Sequence, residues 1–552
     1  MNLISQGSQN IILTGNPTKT FFKATYNKYT NFGMQKFRID YDGLRVLNYA
    51  EESVFKFKVP RYADLISDVY VVVNLPNIWS SVYIPSDASN NLIQARPYEF
   101  KWIDDLGTNM IKKITISIGG QVITEYSGEF INFIKERDFD ETKKSIFNKM
   151  TGNVKELNDP ANASGRTNQY PTAYWYNKGS NYDGSITYQQ EEPSIRGRQL
   201  FIPIEAWFCQ TSKMAFPLVA LQYSEMQIEV TFRPVYELYM VRNVANSSAF
   251  NSATTCPPEL LYVAPTVTDD VSSIYRFLNP PSTPPSGATT VINNVYDDRR
   301  TDWNADVHLI ANYIFLDEQE REVFAKNDQQ YLIRVPYETE IFDTTGSQLI
   351  EFQSRDLVPD YMWRFRRNDS FLRNVWSNYT NYEYNEAPDL IPVIGTCDGA
   401  DYYVYYSTGN LNITKKKDVL QDLAIIMDGK YRENLLNAGV YNYVEKYART
   451  TGDAKDGLYI YSFALNSNVR DLQPSGAMYM NKYNKIAFEF NTITPPVDPS
   501  GNYQLLCDSG TLLGVRQEIK QLYSYTFDLK IAEERYNILM FTSGMADLMW
   551  TR

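Results

Sequence analysis

Residues 111–124 read IKKITISIGGQVIT, and this stretch decides the fold class. Ile114, Ile116 and Ile118 occupy alternate positions, the two-residue period of a strand with one face in a core. Gly119 and Gly120 interrupt the pattern and it then resumes, which predicts a β-hairpin. Working outward, SVFKFKVP (53–60) puts Phe55, Phe57 and Val59 on one face and Lys56 and Lys58 on the other. LFIPIEAWF (200–208), YSEMQIEVTF (223–232), QYLIRVPYETEIF (330–342), KIAFEF (485–490) and LYSYTFDLKIA (522–532) read as further strands. Helices are few. SGEFINFIKERD (127–138) carries one apolar stripe of Phe130, Phe133 and Ile134. DEQEREVFAKN (317–327) opens on Asp317 with Glu320 three residues later, the spacing of a capping box.

Long polar stretches separate the strands: 151–197, rich in Asn, Gly, Ser and Tyr, and 243–300, which contains PPSTPPSG (280–287). Loops of this length in a compact domain usually carry function. No repeat appears at the period of a propeller or solenoid. Many strands, few helices and long loops predict an all-β chain of antiparallel sandwiches or jelly rolls. At about ten residues per strand and turn, 552 residues need at least two such units.

Hydrophobic residues make up 43% of the chain, enough for sizeable cores, and 43 tyrosines suit half-buried strands and interfaces. The net charge of −12 argues against a nucleic-acid partner, because phosphate binding needs concentrated positive charge. The two basic clusters, RFRR (364–367) and KKK (415–417), are short and read as solvated. MNLISQGSQNIIL at the start has no secretory pattern, and no apolar run approaches membrane-spanning length; VYVVV (69–73) is among the longest. Cys209, Cys256, Cys397 and Cys507 lie far apart with no CxxC, so free thiols and a reducing cytoplasm are expected. Asn162, Asn246, Asn368, Asn378 and Asn412 head Asn-x-Ser/Thr sequons. Without a secretory signal these read as chance occurrences, and they are the glycan acceptors to weigh if a surface loop is modified.

Enzymatic chemistry finds little to work with. The single histidine, His308, sits in the strand-like ADVHLIANYIFL (305–316) and reads as structural. No triad with a second imidazole and no multi-histidine metal site can be built. Walker, GxGxxG, HExxH and GxSxG motifs are missing, and DAKDG (453–457) lacks the ligand spacing of a calcium loop. Carboxylate pairs, which suffice for glycoside hydrolysis, occur at Asp104–Asp105 and Asp297–Asp298, where adjacent acids usually just face water. No catalytic residue, cofactor or metal is expected. The rival reading is a cytoplasmic β-sandwich carbohydrate-binding protein or glycosidase.

LTGNPTKTFFKATYNKYTNFG (13–33) fits none of these patterns. Phe21, Phe22, Tyr26, Tyr29 and Phe32 follow no single period, and Pro17 stands behind a Gly15–Asn16 turn signal. The segment resembles the N-terminal signature of major capsid proteins of nucleocytoplasmic large DNA viruses, in which a TGNP–TFFK–YxxYTNF pattern precedes the first strand. Further blocks match in order: FKVPRYADLI with VNLP, IGGQVI with GEF, WFCQTSKMAFPLVALQYSEMQIEVTF, ANYIFLDEQEREVFA into QYLIRV, YSFALNSNVRDLQPSGAMYMNKYNKI, and YNILMFTSGMADLMW. After LQPSG the chain departs from the family with AMYMNKYN, and the loops at 151–197 and 243–303 match nothing.

The resemblance implies a double jelly roll, two eight-stranded antiparallel sandwiches in tandem. Its expected divisions are an arm at 1–29, a first jelly roll at 30–316, a helical connector at 317–327 and a second jelly roll at 328–552. It implies a structural protein rather than an enzyme: a homotrimeric, pseudo-hexagonal capsomer that tiles an icosahedral virion shell and is assembled in the host cytoplasm. The implied partners are neighbouring capsomers and minor capsid proteins, near an internal membrane, with no direct nucleic-acid contact. The five rings of 13–33 would then anchor an inward-facing interface arm.

Overall fold

A computed structural model describes residues 7–80, 82–83, 96–167, 169–171, 174–176, 188–190, 192–242, 262–280, 296–381, 390–407, 418–452, 455–495, 503–517, 523 and 525–550. The hairpin forms as its sequence requires. Strands Ile111–Ile118 and Gln121–Tyr126 pair antiparallel, and Gly119 and Gly120 turn the chain at φ +57° and +89°. Two consecutive positive φ angles are what the tightest hairpin turns demand, and glycine adopts them without a Cβ clash. Ser53–Lys58 alternates buried and exposed, with Phe55 and Phe57 in the core.

The strands assemble into two sandwiches. In the first, Phe32–Asp40, His308–Leu316, Leu65–Asn74 and Gln199–Pro203 lie side by side, with Phe216–Pro217 alongside Leu65–Asn74. They face a sheet of Ser53–Lys58, Met226–Phe232, Ile111–Ile118 and Gln121–Tyr126. In the second, a sheet built around the long strand Phe527–Thr542 faces Ser347–Phe352, Ile486–Thr492, Leu420–Met427 and Lys430–Asn437. In each sandwich the opening strand pairs with a strand near the far end of the lobe: Phe32 lies opposite Leu316, and Gln329 opposite Phe541. Such pairings close long loops and must be repaid by burial, which the two large cores provide.

The sandwiches are not independent. Strand Asp360–Arg367 is buried on both faces. Tyr361, Trp363 and Phe365 enter the second core, while Met362 joins the core continuous with the first sandwich. A strand with no wet face loses the polar–apolar alternation that marks a half-buried one.

Four expectations change. LFIPIEAWF is a strand only to Pro203; Trp207–Gln210 then forms one helical turn that buries Trp207 and Phe208. Helix Glu318–Lys326 has Asp317 at its N-cap, but the Asp317 side chain makes no capping bond, so the capping box does not form. Helix Gly128–Asp138 is buried on nearly every side rather than along one stripe. The cysteines are not all free. Cys397 and Cys507, 110 residues apart, form a disulfide between hairpin 390–407 and hairpin 503–517. Sequence spacing could not reveal this, since only the packing of the two hairpins brings the Cα atoms to 5.8 Å. Cys209 is free, and Cys256 lies outside the described residues. Peptide mapping of the unreduced protein should recover a 397–507 cross-linked peptide; alkylation of both thiols before reduction would contradict the pairing.

Candidate functional site

The N-terminal segment is the barest part of the molecule. Every residue from 7 to 36 is exposed. Phe21, Phe22, Tyr26 and Tyr29 are 88%, 99%, 92% and 86% exposed, and Phe32 is 51% exposed. Phe32 itself opens the first strand, opposite Leu316, so four of the five rings stand ahead of the sheet. Ile11, Ile12 and Leu13, on the short helical turn Ile11–Thr14, are also exposed. Lys19, Lys23 and Lys28 are interleaved with the rings, and no acid occurs before Asp40. Apolar side chains held in water over this length gain nothing within one chain, and such patches mark interaction sites.

The two lobes meet on buried charge, and helix Gly128–Asp138 of the first lobe carries it. At the helix start, the Ser127 hydroxyl caps by accepting from the Phe130 N–H at 3.3 Å and donates to Glu338 at 2.7 Å. Glu129 in the first turn receives Arg364 Nε at 2.8 Å and lies 3.1 Å from Lys530 Nζ. Arg364 also donates to Glu340 at 2.9 Å, and Lys530 reaches Glu338 at 2.9 Å. Burial alone would raise the Glu129 carboxyl, but Arg364, Lys530 and Arg366 outweigh it and hold the group well below the usual range. Here the sequence reading of RFRR as a solvated face fails: Arg364 and Arg367 are 0% and 1% exposed. Arg367 pairs with Asp369 at 2.6 Å and lies over the Tyr525 ring. Arg364 is inside because acids on other segments meet it, which no local pattern records.

At the helix end, Arg137 is fully buried and bonds three carboxylates. Its Nε and Nη2 chelate Asp138 at 2.9 and 3.0 Å, and Nη1 donates to Asp360 at 2.9 Å and to Glu534 at 2.7 Å. Arg334 adds a second cation 3.6 Å from Glu534. Burial, with Glu534 as a negative neighbour, pushes Asp360 up to about 7 despite Arg137. Its Oδ1 has no hydrogen-bond partner among the described residues.

The sign follows from linkage. A carboxyl raised in the folded state favours folding below its unfolded value of about 4, and that contribution is lost as pH climbs through the folded value near 7. Glu205, also pushed to about 7 chiefly by burial, acts in the same direction. Glu129 acts oppositely: its contribution is present above about pH 4.5 and lost on acidification. Asp360→Asn, which keeps an acceptor for Arg137, should therefore compare better with wild type at pH 8 than at pH 5. Thermal midpoints at the two pH values test this; an equal difference at both would contradict it.

Other sequence-derived candidates come apart. Asp105 is buried against Lys135 at 2.7 Å, and Asp104 is exposed, so the first acid pair is not a solvated couple. Burial raises the Asp105 carboxyl, but Lys135 and Lys455 more than offset this and lower it overall. Asp298 pairs with Arg300 at 2.7 Å while Asp297 faces water. Neither pair presents two free carboxyl groups to a common site. His308 is buried in its strand, with Nδ1 2.5 Å from the Asp306 carbonyl oxygen. Among the sequons, Asn162 is exposed, its amide donating to Asp159 at 3.0 Å. Asn368 is half-buried and accepts from the Thr526 N–H, and the Asn378 Nδ2 that a glycan would join is buried. Asn246, Asn412, the KKK cluster and Asp453 lie outside the described residues.

Comparison with known proteins is consistent along the whole chain. The family described as major capsid protein N-terminus matches residues 20–317, and that described as large eukaryotic DNA virus major capsid protein matches 320–547. Similar proteins include probable capsid protein 4 of Acanthamoeba polyphaga mimivirus, 23% identical over 92% of this chain and 94% of its own. The major capsid protein of Paramecium bursaria Chlorella virus 1 is 24% identical over 99% and 98%. That of Phaeocystis pouchetii virus is 25% identical over 100% and 99%. Among solved structures, the Faustovirus major capsid protein superposes with a TM-score of 0.59 at 14% identity, covering 98% of this chain and 95% of that one. The PBCV-1 capsid gives 0.57 at 19%, covering 97% and 100%. At such identity the structures speak for the fold alone, a double jelly roll.

Proposed function

The chain belongs to the large eukaryotic DNA virus major capsid protein family, and from that premise we propose that three copies form the pseudo-hexagonal capsomer of an icosahedral shell. A capsid protein acts by filling a surface, so its working parts are faces rather than a reaction centre. Two similar lobes per chain give a trimer a near-sixfold outline while its true symmetry stays threefold. The lobes divide at the 317–327 connector, with 30–316 before it and 328–552 after it. The buried salt network at helix Gly128–Asp138 suits this role, because a tile with two loosely hinged lobes could not hold one outline.

Residues 1–29 serve as the arm. The observation that carries this reading is the uninterrupted exposure of 7–36 with its large rings. On the inward side of the shell the arm would pack against neighbouring capsomers or minor capsid proteins, close to an internal membrane. Assembly takes place in the host cytoplasm, the protein turns over no substrate, and it contacts no nucleic acid. Multi-angle light scattering of the purified chain should return three times the monomer mass at micromolar concentration. A stable monomer would defeat the trimer.

A further inference from the structure

We propose that a cavity beside helix Glu141–Thr151, lined by the first lobe and by Arg470 of the second, binds an apolar molecule that carries a protonated amine, held by Glu205 and Asp68. The cavity is about 470 Å³, within the size range of small-ligand sites. Phe139, Ile146, Phe147 and Met150 supply apolar wall. Into this lining two separate elements bring carboxylates.

Glu205 follows strand Gln199–Pro203 and is 9% exposed, its carboxylate making no hydrogen bond or ion pair to a described residue. An unpaired acid at that depth is costly in a chain that satisfies its other buried acids with arginine or lysine. Burial and the negative charges of Asp138 and Glu534 raise the group, against Arg137, so a cation arriving beside it would relieve the strain. Asp68 comes from a β-bulge. The pairing of strand Leu65–Asn74 with His308–Leu316 skips it between Ala311 and Asn312, and it sits at φ +45°. Bulges re-aim side chains next to sites, and this one places Asp68 on the cavity lining. Both acids act on the thiol of Cys209, which also lines the cavity, so the two carboxylates share one neighbourhood.

Of the cations on the lining, Lys143 and Arg470 stand over the Phe139 ring, at 4.4 and 4.7 Å from its centroid, and neither makes an ion pair with a described residue. Arg470 attracts Asp68 at longer range, and Glu205 is left without an ion pair among the described residues. Cys209 takes no part in covalent capture, because burial keeps its thiol protonated.

The test uses the purified full-length protein at pH 8 and three eight-carbon probes: octylamine, octanol and octanoate. Calorimetry should show saturable octylamine binding, with octanol and octanoate at least about tenfold weaker, the scale of one charge-assisted hydrogen bond. Glu205→Gln should lower octylamine affinity by a similar factor and leave octanol unchanged. Asp68→Asn, on the exposed bulge, should also weaken the amine and carries the test if the Glu205 variant does not fold. Octanoate binding as tightly as octylamine, or variants that hold the amine as wild type does, would overturn the assignment.

Discussion

Replacing Arg137 with alanine should destabilise the protein by about 3–5 kcal/mol, the usual result of removing one partner from a buried ion cluster. Asp138, Asp360 and Glu534 all bond to this one guanidinium, and all three are at least nine-tenths buried. Without it, Arg334 near Glu534 is the remaining cation at ion-pair distance from these acids among the described residues. Three carboxylates on a dry interface cannot all stay ionised, and protonating them at neutral pH costs free energy. The damage should fall on the junction, because Asp138 belongs to a first-lobe helix while Asp360 and Glu534 lie on second-lobe strands. Denaturant unfolding of the variant should show a lowered midpoint, with two transitions in place of the single one of two coupled lobes. Adding Asp360→Asn to the alanine variant should restore part of the loss, since it removes one uncompensated charge. A loss under about 1 kcal/mol would mean that the cluster is structurally idle.

Deleting residues 1–26 should have a contrasting pattern: little effect on folding and a large one on assembly. The described part of the deleted segment is exposed throughout and enters no core, so the shortened protein should fold and melt within a few degrees of wild type. Phe21, Phe22 and Tyr26 leave with the deletion, and aromatic anchors commonly contribute on the order of 2 kcal/mol each at an interface. Three such anchors lost together would weaken capture of a neighbour by several orders of magnitude. Particle yield and melting measured on the one truncated protein test the reading. Aggregation or loss of the first lobe would show instead that the rings plug the base of the first sandwich.

The contrast follows from where each group sends its free energy. Arg137 interacts inside the chain and is read out as stability. The described part of the arm enters no core of the chain, so its worth appears only when a second molecule arrives.

The local features were legible in the sequence. A period of two is a property of adjacent residues, so Phe55, Phe57, Ile114 and Ile116 declared their faces, and Gly119–Gly120 declared the turn. The aromatic leader and the ordered motif blocks carried the family. The polar interior was not legible. RFRR reads as a solvated run, and whether such a charge stays in water depends on acids hundreds of residues away. Arg364 is inside because Glu129 and Glu340 meet it; Arg137 because Asp360 and Glu534 do. The Cys397–Cys507 bond and the carboxylates gathered by Glu205 and Asp68 have the same origin. Burial of apolar groups needs only a core on one side, which periodicity announces; burial of charge needs a particular partner at bonding distance, which only the tertiary structure supplies.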